Sequence, residues 1–142
     1  MNQSETIDAL NELMALHYRS FPMYLRHAHS WSAGNHAQVA NTLRHIVNDQ
    51  SAMAERIASE VLSSGGNIDT GAFPLEFTDA NDLSIDFQIR RAIECQCEMI
   101  DRIESCIERL RLAPAARELA EESLGMAKGH LESLEELSPQ AA

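Results

Sequence analysis

GGNIDTGAFPLEFTDANDL, residues 65–83, has no helical period and is rich in Gly, Pro, Asn and Asp. It separates two pairs of long segments that do keep such a period. Upstream, residues 4–30 place Ile7, Leu10, Met14, His17, Phe21, Tyr24 and Ala28 at three- and four-residue steps, with Ser4 as the expected N-cap. Residues 35–64 repeat the pattern with Val39, Leu43, Ile46, Gln50, Met53, Ile57 and Val61 or Glu60, until Gly65 and Gly66 stop the helix. Downstream, residues 84–111 carry Ile89, Ile93, Gln96, Ile100, Ile103, Ile107 and Leu110. Residues 115–137, opened by Pro114, carry Ala116, Leu119, Ser123, Met126 or Ala127, His130, Leu134 and Leu137. Pro22 lies inside the first segment; because the apolar register runs through it, one kinked helix is expected rather than two. Two-residue alternation is absent, so the class is all-α.

Connection lengths turn these helices into a topology. A few residues around Trp31 to Gly34 join the first two, and a few around Leu112 to Pro114 join the last two, so each pair is expected to form an antiparallel hairpin. The 65–83 stretch is far longer than a hairpin turn needs. Fully extended it reaches roughly 60 Å, against ~42 Å for a helix of about 28 residues. It is long enough to cross the bundle from end to end, which makes residues 1–142 one four-helix domain of two hairpins joined by a long crossover.

Composition limits the function. Eleven Lys and Arg stand against 22 Asp and Glu, a formal net charge of -11, so the summed field repels phosphate backbones and anionic lipid headgroups. Nucleic acid and membrane partners are not expected. With no basic, apolar leader at Met1 to Asp8 and no run approaching the ~18 apolar residues of a membrane span, a cytoplasmic protein is expected. Cys95, Cys97 and Cys106 read as reduced thiols that pack, since no second Cys or His pair stands at finger-like spacing. His27, His29, His36 and His45 gather towards the end of the first hairpin as ordinary surface histidines. Trp31 is expected to cover that end with Phe73 and Phe77. Leu13, Leu16, Tyr18, Met23 and Leu25 lie outside the first helix's seam, which points to a homodimer through the first hairpin.

Near its middle every seam turns polar: His17, then Gln50 with Met53 one turn on, then Gln96, then Ala127 and His130. Two readings follow. The side chains hydrogen-bond one another, with room for a trapped water, and specify helix register. Alternatively His17, Met53 and His130 hold one zinc, copper or iron ion, with Gln50 or Gln96 as weak oxygen donors.

The stretches LNELMALHYRSFPMYLRHA, NDQSAMAERIASEVLSSGG, AIECQCEMIDRIESCI and GMAKGHLESLEEL, with the loop FPLEFTDANDLSIDF, resemble the helices and crossover of the ferritin and bacterioferritin superfamily across most of the chain. That resemblance implies a ferritin-like four-helix bundle, which has a single long crossover and a di-iron centre built from four Glu and two His. The family's ligand positions fall on His17, on Gln50 and Met53, on Gln96, and on Ala127 and His130, so only His130 is retained. Asp49 lies ~100° around its helix from Gln50 and Glu94 ~200° from Gln96, so neither is expected to stand in. The resemblance therefore implies a ferritin-like protein with a degenerate site, non-catalytic and without a cofactor. A single-ion protein is the alternative, and an iron-storage or oxidase homologue a second.

Overall fold

The computed structural model describes residues 3–28, 37–80 and 84–138. Five α-helices follow in order: Gln3–Tyr18 (α1), Phe21–Ala28 (α2), Ala37–Ser63 (α3), Ile85–Arg109 (α4) and Pro114–Glu136 (α5). No strand occurs among the described residues. Trp31, His29 and His36 lie outside them, as do the side chain of His27 and the link between the first two long segments.

The expected kink is a break. Pro22 has no N–H to return to the carbonyl of Tyr18, so α1 ends there. Ser20 then starts α2 afresh: its Oγ accepts the N–H of Met23 at 3.2 Å, its carbonyl takes the N–H of Tyr24 at 2.9 Å, and Pro22 falls in the first turn, where a missing N–H costs nothing. The break turns Met23 and Leu25 inward. Together with Leu13 they are buried within the chain, and of the apolar residues read as facing a second subunit only Tyr18 is well exposed, at 41%.

At the far end of α3, Gly65 adopts a φ of +82°. The N–H of Gly66 reaches the carbonyl of Val61 and that of Gly65 the carbonyl of Leu62, both at 3.0 Å, which closes a Schellman cap. Gly66 is small by necessity, since a Cβ there would come within 2.7 Å of the Ile7 side chain.

From this cap the crossover runs the length of α1. Gln3 bonds the Ser64 carbonyl, Asn11 holds Asn67 and Asp69 at 3.0 Å, and Arg19 reaches Thr70 at 3.2 Å. Its far end is not structureless: Leu75–Ala80 forms a 3₁₀ segment. Phe77 packs edge-on to Phe21 at 5.1 Å and tilted on Tyr24 at 5.6 Å, with Phe73 edge-on to Tyr24 at 5.6 Å. Ser84 then caps α4 by accepting the N–H of Phe87. Cross-helix contacts order the bundle: Glu12 on α1 meets Cys106 and Arg109 on α4, and on α3 and α5 Asp49 meets His130 while Arg56 meets Glu122. α1 runs against α3 and α4, and α5 against α3. This is the topology of two antiparallel hairpins joined by a crossover. None of the helices, among the described residues, is long and apolar enough to cross a membrane.

The apolar core is in two parts. One holds Leu10, Leu13, Met14, Ile57, Val61, Ile103, Cys106 and Leu119; the other holds Phe21, Leu25, Leu43, Ile46, Phe77, Ala92 and Leu134.

Candidate metal centre

Between those two cores each long helix presents a buried polar residue. His17 and Gln50 are fully buried, Gln96 is 2% exposed and His130 6%. Helical periodicity puts them there: each occupies the inward step of a seam whose neighbours one or two turns away are apolar.

They do not bond one another. His17 Nε2 pairs with Ser123 Oγ on α5 at 2.5 Å. Gln50 Oε1 accepts the hydroxyl of Ser20 at 2.7 Å. Gln96 Nε2 donates to the carbonyl of Ala127 at 2.9 Å, and His130 Nε2 meets Asp49 Oδ2 at 2.9 Å. In place of the expected closed cluster, three bonds join pairs of helices and the fourth joins α3 to Ser20 in the link before α2; that of His17 crosses the bundle to α5, which lies diagonally opposite α1. Ala127, with no polar side chain, contributes only its backbone. Met53 is buried and belongs to the first core; it shares a groove between α3 and α5 with Asp49, Ala52, Arg56, Glu122 and Met126.

Three of these partners were missed from sequence. Ser123 stands in the α5 seam by periodicity, which says nothing of its partner. Ser20 was hidden by the expectation of a continuous helix. Asp49 was set aside on its angle from Gln50, yet its carboxylate, 43% exposed, sits on the α3 flank where the long imidazole of His130 comes out to meet it.

Burial governs the electrostatics. Desolvation, with a smaller repulsion from His130, pulls the His17 pKa down to about 3, so its ring is neutral at ordinary pH. Among the described residues His17 Nδ1, Gln50 Nε2 and His130 Nδ1 are buried with no hydrogen-bond partner, and no three His, Cys, Asp or Glu side chains converge as a set that could hold a metal ion. The thiols are free. Cys106 donates to Glu12 Oε2 at 3.3 Å, and burial with that bond pushes its pKa up to about 12; burial likewise raises Cys95 to about 11. Neither is a reactive thiolate.

Comparison with solved structures finds a protein from Bacillus anthracis str. Ames described as "ferritin like, diiron-carboxylate proteins". It superposes with a TM-score of 0.77 at 22% identity, over 96% of this chain and 99% of that one. No curated protein sequence matches. The family model described as "Ferritin-like domain" matches residues 7–139. With that match over nearly its whole length, on a bundle of this topology, the chain belongs to the ferritin-like domain family.

Proposed function

We propose that this is a ferritin-like protein without di-iron chemistry, in which the central polar layer sets helix register and the fold serves a non-catalytic, structural or interaction role. The observation that carries the reading is the use each layer residue makes of its polar atoms: all four bond to another helix or to the segment between α1 and α2. The donor set also does not fit a pair of iron ions. Two ferrous ions need anionic oxygen ligands, whereas the layer offers two imidazoles, two carboxamides and two hydroxyls, and the carboxylate bonded to it, Asp49, is engaged at the Nε2 of His130. Elemental analysis of the purified chain, followed by ferrous titration in air, tests this. No stoichiometric iron and no accelerated ferrous oxidation are expected; two irons per chain with rapid oxidation would overturn it.

A second reading has its own support. The bare Nδ1 atoms of His17 and His130, with Asp49 orienting His130 as carboxylates orient metal-bound histidines, favour one ion held by His17, Met53 and His130. One zinc or copper per chain, lost in the His17→Ala, His130→Ala double variant, would establish it.

A cytoplasmic homodimer through the first hairpin belongs to the same proposal. It is supported by a groove on the α1–α3 face where Met14, Tyr18, Met23, Ala54, Ala58 and Ile68 stand beside Arg26, Ser51, Glu55 and Thr70, with Tyr18 and Ile68 each 41% exposed. Sedimentation of Tyr18→Glu beside the parent chain checks it.

A further inference from the structure

We propose that the polar layer is built around one buried water molecule, bound jointly by His17 Nδ1, His130 Nδ1 and Gln50 Nε2. The inference rests on the reading of the layer as structural and names what completes it.

Depth places the residues that carry these atoms at one level of the bundle. The layer residues fall between the two apolar cores on every long helix. Their bonds tie α1, α3 and α5 together at this level: His17 to Ser123, two turns of α5 before His130, then His130 to Asp49, and Gln50 beside it to Ser20. Repulsion from His130 felt at His17 is a separate sign that the rings are near.

Donor and acceptor arithmetic then selects the occupant. The N–H of Met23 occupies Ser20 Oγ, whose hydroxyl hydrogen goes to Gln50 Oε1. The cap of α2 thus holds the oxygen end of the amide, and Gln50 presents N–H donors to the layer. Turning the amide over would leave that hydroxyl hydrogen to seek another acceptor. Asp49 only accepts, so His130 Nε2 carries a proton, and in the neutral ring Nδ1 is then a bare acceptor. At His17 the tautomer is set by Ser123: if the hydroxyl donates, Nδ1 is a donor; if it accepts, Nδ1 is an acceptor.

The three atoms therefore offer two donors and one acceptor, or one donor and two acceptors. A water molecule, with two of each, satisfies either set, and three such bonds are usual for a buried water. A cation satisfies neither, because the Gln50 N–H groups face it. Solvent reaches the rim of the layer through a cleft of about 220 Å³, lined in part by Ser20, Gln96, Gly71 and Phe77.

The test is a crystal structure of the chain as purified, without chelator or added metal, at a resolution that orders individual waters, with anomalous data. The expected result is one peak without anomalous signal, at about 2.7–3.2 Å from all three atoms. A peak at about 2.0–2.1 Å from the imidazole nitrogens with anomalous signal would overturn both the water and the structural reading. The three atoms bonded directly to protein groups, with no peak, would overturn the water alone and leave that reading standing. In solution, magnetisation transfer from water to the Gln50 side-chain amide protons is expected in the parent chain and lost in the His17→Leu, His130→Leu variant. Transfer that persists in the variant would overturn the proposal.

Discussion

Gln96 donates to a carbonyl that already lies inside the hydrogen-bonded ladder of α5. Gln96→Leu therefore strands no orphan on the α5 side, and the loss should be that of one net hydrogen bond, about 0.5–1.5 kcal/mol, read by urea unfolding. A loss well beyond this would mean that Gln96 Oε1 also holds a buried partner. His17 makes a different prediction. Its pKa is about 3 when folded against an ordinary 6.5, so between those values the unfolded chain binds a proton that the folded chain refuses. Stability must fall as pH falls through that window, and this contribution is flat above it. Between about pH 7 and about pH 5 the loss from this residue should approach 2 kcal/mol. His17→Phe should show a pH dependence shallower by that amount in paired denaturation curves, and equal slopes would place the ring in contact with water. The layer's membership was legible in the sequence because burial follows helical period. Its bonding was not, since a wheel angle treats every side chain as radial, while Asp49 and His130 meet on the flank of their helices.

At the scale of elements, Ser20 has two roles: it caps α2 and holds the Gln50 amide. The periodicity of residues 4–30 runs unbroken through Pro22, and periodicity reports which faces are buried, not whether the backbone hydrogen bonds continue. What marks the break is a Ser two residues before a Pro, a start signal masked by the apolar register. Ser20→Ala should remove the α2 cap, about 1 kcal/mol, and also strand the buried Gln50 oxygen, a further cost of about 1–3 kcal/mol. Ser20→Thr, which keeps the hydroxyl, should recover most of the loss. Thermal unfolding of the two variants beside the parent chain measures this, and equal losses in Ala and Thr would show that the hydroxyl serves neither group. The end of α3 and the starts of α4 and α5 are set chemically, by Gly65 at positive φ, Ser84 as a capping hydroxyl and Pro114 at a first turn.

The topology of the whole molecule was legible in the linkers, because a helix end can be joined to a distant helix start only by chain long enough to travel between them. The crossover does this by lying along α1, with polar side chains binding its backbone and Phe73 and Phe77 anchoring its far end. Function has no such geometric constraint, since one bundle holds many different polar layers. Net charge does allow a prediction at this scale. The chain carries -11, while the ion pairs that could gain from its acidity are exposed: Arg56 with Glu122 at 53% and 54%, and Arg117 with Glu121 at 46% and 53%. Screening weakens such pairs and also weakens the repulsion among the surplus carboxylates. The repulsion is spread over the surface and includes many more charge pairs, so its relief should win. Raising sodium chloride from about 10 mM to about 1 M, which shortens the Debye length from roughly 30 Å to roughly 3 Å, should raise Tm. Arg56→Gln with Glu122→Gln leaves the net charge unchanged and should keep that rise. A fall in Tm with salt in the parent chain, abolished in the double variant, would instead make the bridge between α3 and α5 the dominant electrostatic term.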